Sequence, residues 1–123
     1  MDTSKPGLRM ILKDYQEVAL KYLWERGDAG SRSRDVWIHV NKTLNGERTV
    51  SRGSIINFLN TMANEGIMNY TEITGKGGRT RIYVCTYNEM TFKEKFIKTV
   101  LDSLMKNYPQ ATKKVIIKTL EQL

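Results

Sequence analysis

The chain has 123 residues, 40% of them apolar, and twenty Lys and Arg against thirteen Asp and Glu give it a formal net charge of +7. That length suits one domain, or one domain with a small appendage; no apolar run reaches the ~18 residues that span a bilayer, and no apolar signal segment follows residues 1–7. The single cysteine, Cys85, excludes an internal disulfide and a cysteine-based zinc site, so a cytoplasmic protein with a polyanionic partner is the expectation.

In chain order, residues 12–26 read as a first helix, because Leu12, Tyr15, Ala19, Leu20, Leu23 and Trp24 recur at three- and four-residue spacing and Gly27 supplies a stop. Residues 28–32 have loop chemistry. Ser33 is an N-cap type for a second helix running to about Leu44, with Val36, Trp37, Val40 and Leu44 on its inner stripe, and Asn45-Gly46 breaks it. A third helix starts at Ser51, again an N-cap type, and runs to Glu65. Its inner positions are Ile55, Phe58 or Leu59, and Met62, and Gly66 terminates it.

Two extended runs follow, residues 68–74 and 81–86, joined by Gly75-Lys76-Gly77-Gly78-Arg79-Thr80. Glycine with lysine suggests a phosphate-holding loop, but the spacing is not that of a P-loop, and no Ser or Thr follows Lys76 to reach magnesium. The glycines lead into a β-branched and aromatic run, with Ile82 and Val84 alternating against Arg81, Tyr83 and Cys85. They therefore shape the turn of a β-hairpin rather than open a helix. Its bases at 76, 79 and 81 serve either solubility or contact with a nucleic-acid backbone. From Arg48 to Arg81 the chain carries five bases and only Glu65 and Glu72 as acids. Three helices and a two-stranded wing, in that order, make a winged helix-turn-helix over residues 8–87.

Residues 88–123 differ in character. Phe92, Phe96, Ile97, Val100, Leu101, Leu104, Met105 and Tyr108 form a stripe too wide for a lone surface helix. Pro109 ends that helix, and a second, from about Ala111, carries Val115, Ile116, Ile117, Leu120 and Leu123. Two such short helices cannot bury themselves as a pair, so they fold back on the first domain or pair with another copy. The second option is favoured, and the fold class expected is α+β, mainly α: a winged helix-turn-helix domain with a C-terminal two-helix dimerisation segment. The interface residues expected are Phe92, Phe96, Val100, Leu104, Tyr108, Ile116 and Leu120.

The blocks LKYLWERG (20–27), DVWIHV (35–40), VSRGSIINFLNTMANEGIM (50–68) and GRTRIYVCT (78–86) resemble the penicillinase and methicillin-resistance repressor family (BlaI/MecI type). The resemblance covers nearly the whole chain. It implies a homodimeric repressor that binds a dyad-symmetric operator through N-terminal winged-helix domains and pairs through C-terminal helices. The chain departs from the family pattern at Val50 and Arg52, where Trp and Pro are usual, and at Gly53, which replaces a lysine; the operator is therefore not carried over. The tail also lacks the paired cysteines of copper-responsive relatives, so metal sensing is not inherited.

In that arrangement the third helix enters the major groove. Arg52, Ser54, Asn57 and Thr61 are the expected base contacts, with Asn64 beyond them, because Arg reads guanine, Asn reads adenine, and Ser or Thr adapts to either. Ser51 caps the helix or holds a phosphate through its amides. Lys76, Arg79 and Arg81 contact phosphates or the minor groove, and Arg32, Arg34 and Lys42 are either backbone contacts or solvated charges. His39 has no metal-spaced partner, Cys85 has no resolving thiol, and Trp24 and Trp37 fall on core positions. One histidine permits no catalytic triad, so neither enzymatic activity nor a cofactor is expected. The rival reading is a winged-helix module that binds protein within a larger complex. It calls for apolar residues on the outward helix face, where this sequence has polar ones.

Overall fold

The computed structural model describes every residue except Lys76. It divides into two compact units, residues 1–89 and 90–123. The first contains helices α1 (Asp14–Arg26), α2 (Ser33–Leu44) and α3 (Arg52–Asn64), with strands β1 (Ser31–Arg32), β2 (Met68–Gly75) and β3 (Gly78–Cys85). The strands form one antiparallel sheet in the order β1-β3-β2. The fold is α+β, mainly helical, and its element order is that of a winged helix.

The helices form where apolar spacing and end chemistry agree. α1 buries Tyr15, Ala19, Leu20 and Leu23. It starts at Asp14 rather than Leu12, because Leu12 donates its amide back to the Leu8 carbonyl in a preceding turn, and Gln16 Oε1 accepts the Lys13 amide at 2.9 Å. That side chain satisfies one of the donors left open at a helix start. α3 starts on Ser51, whose Oγ accepts the Ser54 amide at 3.1 Å. It ends in a Schellman arrangement: the Ile67 amide donates to Met62 O, the Gly66 amide donates to Ala63 O, and Gly66 has φ +79°. Phe58 and Leu59 are both buried, along with Ile55 and Met62. The fully buried side chains Leu20, Leu23, Val36, Val40, Ile55, Leu59 and Met68 come from all three helices and the start of β2.

Three expectations need correction. Residues 31 and 32, read as loop, are strand β1, paired as Ser31↔Tyr83 and Arg32↔Ile82. The pairing satisfies the outer edge of β3, a long-range requirement invisible to local composition. Gly30 makes it possible: at φ +63° an added Cβ would lie 2.5 Å from Tyr83 O and 2.8 Å from a Val84 methyl. The cap of α2 is Arg32, without a side-chain hydrogen bond, and Ser33 is its first helical residue. In β3 the inward residue is Tyr83, 3% exposed, while Ile82 and Val84 are half-buried on the opposite face.

The link from α2 to α3 is held from below. Trp37 Nε1 donates to Val50 O at 2.8 Å, and the Asn41 side chain both accepts the Val50 amide (2.8 Å) and donates to its carbonyl (3.1 Å). Trp37 is half-buried, so it works as a clamp on the chain entering α3 as much as a core residue.

The second unit holds α4 (Glu89–Asn107) and α5 (Pro109–Glu121). α5 begins at Pro109, not Ala111, because proline's fixed φ and missing amide suit a first helical turn. The corner is tied by Tyr108 N to Leu104 O (2.7 Å) and by Thr112 Oγ1 to the same carbonyl (3.1 Å). Beyond it the two helices do not pack along each other. Ile97, Leu104, Tyr108, Val115, Ile117, Leu120 and Leu123 are exposed. Phe92, expected at an interface, is only 4% exposed. Phe96, Val100 and Ile116 are half-buried. Among the described residues, no helix is long and apolar enough to cross a membrane.

Candidate nucleic-acid interface

With Ile55, Phe58, Leu59 and Met62 turned inward, a repeat of 3.6 residues per turn puts residues 53, 57, 60 and 64 on the line opposite. That line reads Gly53, Asn57, Asn60, Asn64, of which Asn57 and Asn64 are exposed and Asn60 is half-buried. Of the expected contacts, Arg52, Asn57, Thr61 and Asn64 are exposed. Ser54 is half-buried, with its Oγ 2.9 Å from Ser51 Oγ. Ser54, Asn57 and Thr61 border an open groove of about 330 Å³ between α3 and α1, floored by Tyr15 and Phe58. Ser51 acts as a cap.

Asn60 escaped the sequence reading, although its place in the 53, 57, 60, 64 series was available there. It is the junction between α3 and the wing. Its Oδ1 accepts from Tyr83 Oη at 2.6 Å and from Arg81 Nη1 at 3.0 Å. The Arg81 guanidinium also lies over the Tyr70 ring, 4.0 Å from its centroid, with Nε 3.6 Å from a Glu72 oxygen. The register explains this cluster. Tyr70 pairs with Tyr83 and Glu72 with Arg81, so all four side chains share the sheet face turned toward α3.

The wing bases therefore separate. Arg81 is engaged with Asn60, Tyr70 and Glu72, and its side chain is 38% exposed. Arg79 is different: its side chain is 80% exposed, with one long contact to Glu72 at 3.6 Å, so its charge is available to an outside anion. Lys76 lies outside the described residues.

Sharing Leu12 with the groove is an open hollow of about 380 Å³ lined by Lys5, Arg9, Lys13 and Arg48 around Asp14. Arg48 pairs with Asp14 at 3.0 Å and lies over the Tyr15 ring. These four bases, scattered in sequence, were not anticipated because only the fold gathers them. Arg32, Arg34 and Lys42 are exposed. His39 stacks on Tyr22 with centroids 4.4 Å apart. Burial pushes the Cys85 thiol up to about 12, leaving it protonated and unreactive at neutral pH.

No family model matches the chain, and no curated protein matches it. Among solved structures it is similar to that of a candidate transcriptional regulator, TA0346, from Thermoplasma acidophilum. The identity is 21%, the TM-score 0.52, and the match covers 89% of this chain and 90% of that one. At that identity the likeness is one of fold, extends over both units, and does not single out the penicillinase repressors.

Proposed function

We propose that the protein binds double-stranded DNA as a transcriptional regulator, with α3 in the major groove and the β2-β3 hairpin against the backbone or minor groove. One observation carries the reading. The outward line of α3 carries three Asn residues, with Asn57 and Asn64 exposed, and accessible bases stand at Arg79 on the wing and in the Lys5, Arg9, Lys13, Arg48 hollow that adjoins the groove between α3 and α1. Hydrogen-bonding groups aimed outward with accessible positive charge suit base edges between phosphates. A face for a protein partner would carry apolar anchors instead. The likeness in fold to a candidate regulator supports the same reading.

The finer proposals extend it. Residues 8–87 form the DNA-binding domain, and residues 88–123 pair two copies through their exposed apolar side chains, Leu104, Tyr108, Val115, Ile117 and Leu120 among them. A two-fold dimer reads a dyad-symmetric operator, and by occupying it acts as a repressor. The chain works by binding rather than catalysis, without a cofactor, in the cytoplasm.

A gel-shift titration on random duplex at low and moderate salt tests the reading. Binding should weaken steeply with salt, as expected when several phosphates are neutralised; absence of binding at low salt overturns it. On a selected operator, Asn57→Ala should lower affinity by roughly tenfold to a hundredfold per half-site and leave non-specific affinity nearly unchanged, since no charge is removed. In sedimentation the full chain should run as a dimer at tens of micromolar, and a chain ending near Asn88 as a folded monomer.

A further inference from the structure

The Asn60 side chain has a fixed sense. A guanidinium can only donate hydrogen bonds, so the Asn60 atom 3.0 Å from Arg81 Nη1 must be the amide oxygen. Tyr83 donates to that same oxygen at 2.6 Å, which uses both of its lone-pair directions. Among the described residues the amide nitrogen has no hydrogen-bond partner. Asn60 is half-buried, yet among the described residues no buried side-chain nitrogen or oxygen is unpartnered, so Nδ2 reaches solvent. On a helix whose outward line is Gly53, Asn57, Asn60 and Asn64, this half-buried residue therefore has its amide donors, and not its acceptor, left for an outside group.

From this we infer that Asn60 is a specificity-determining residue that selects guanine over adenine, and that Arg81 is the positioning residue that sets its sense. The inference rests on the proposal that α3 lies in the major groove. A free carboxamide pairs with adenine by accepting from N6 and donating to N7. With its oxygen held by Arg81 and Tyr83, Asn60 cannot accept, and its amide donors would meet the N6 donors of adenine. Guanine offers N7 and O6, two adjacent acceptors and no donor on that edge. Tyr83 alone does not fix the sense, because a hydroxyl can donate or accept, whereas a guanidinium cannot. The charge of Arg81 thus acts through Asn60 rather than on a phosphate.

The test is selection of binding sites from randomised duplexes by the full chain, with thermal melts to confirm folding. The wild type should select a sequence with guanine at one position per half-site that Asn60 governs. Asn60→Asp keeps an acceptor for both Arg81 and Tyr83 but presents a carboxylate outward, so that position should switch from guanine to cytosine, whose N4 donates. Arg81→Ala should lower the guanine-to-adenine preference at that same position by roughly tenfold, leaving other positions as they were. Arg81→Lys, which retains a donor, should restore it. Unchanged preference in both Asn60→Asp and Arg81→Ala, in folded proteins that still select an operator, overturns the inference while leaving the major-groove reading intact. A uniform loss of preference at every position in Arg81→Ala would make Arg81 merely structural and overturns it too. If the wild type selects no sequence at all, the major-groove reading falls, and the inference with it.

Discussion

The two units of this chain use apolar residues in opposite ways. In residues 1–89 they close on themselves: Leu20, Leu23, Val36, Val40, Ile55, Leu59 and Met68 are fully buried, and what faces out from α3 is polar. In residues 90–123 the order is reversed, because Ile97, Leu104, Tyr108, Val115, Ile117, Leu120 and Leu123 remain in solvent. Contiguous exposed apolar surface is rare on a lone soluble protein and marks a face awaiting a partner. The first unit therefore closes its own core, whereas the second leaves apolar side chains open to solvent, as the proposed pairing of two copies requires.

Core truncation separates the two most sharply. Leu59→Ala should destabilise the first unit by roughly 2–5 kcal/mol through lost burial and a residual cavity. Leu120→Ala, at an exposed site, should change monomer unfolding by less than about 0.5 kcal/mol and instead make dimer dissociation easier. Urea melts at two protein concentrations measure both effects. If the Leu120 variant loses stability at every concentration, the second unit is closed within one chain and the contrast fails.

A smaller effect is expected at Gly30→Ala, where φ is +63° and a Cβ would meet the Tyr83 carbonyl. Left-handed strain alone costs on the order of 1–3 kcal/mol, and the clash adds the displacement of β3. Thermal melts should show this loss, while the dimerisation constant stays as it was, since the lesion lies in the first unit. A variant with normal stability would mean β1 does not pair with β3 in solution.

Within the wing the contrast is between two arginines. Arg79→Ala should reduce the log–log salt slope of DNA binding by about 1, and Arg81→Ala should hardly change it, because Arg81 is occupied by Asn60 and Tyr70. Equal slopes for the two variants would place both side chains in the same environment.

The smallest effect concerns Cys85. Its folded-state pKa, pushed up to about 12 by burial, lies above that of an unfolded thiol, so its contribution is complete below about pH 8.5 and is lost as pH rises toward 12. Native protein at pH 8 should alkylate far more slowly than denatured protein. Equal rates would contradict the half-buried position.

Much of the first unit was legible in sequence because its signals are local. Helical spacing from Tyr15 to Leu23, the Ser51 cap and the Gly66 terminator each act within a few residues, and the structure has them. Strand β1 was missed because two residues, Ser31 and Arg32, become a strand only when β3 offers its edge. The inward side of β3 was misjudged because Tyr83 carries a hydroxyl that finds Asn60, a partner 23 residues away. Asn57 and Thr61 are exposed, as their helical spacing implies, whereas Asn60 is half-buried and bound to the wing. The sense of its amide depends on a wing arginine that no local pattern connects to it.

The most direct measurement of the central claim is a fluorescence-anisotropy titration of the full chain against a selected operator and a scrambled duplex, each at two salt concentrations. The outward amides of α3 with accessible bases predict that the operator binds at least about 10³-fold more tightly than the scrambled duplex, and that both affinities fall with added salt. Equal affinity for the two duplexes, or binding indifferent to salt, would contradict it.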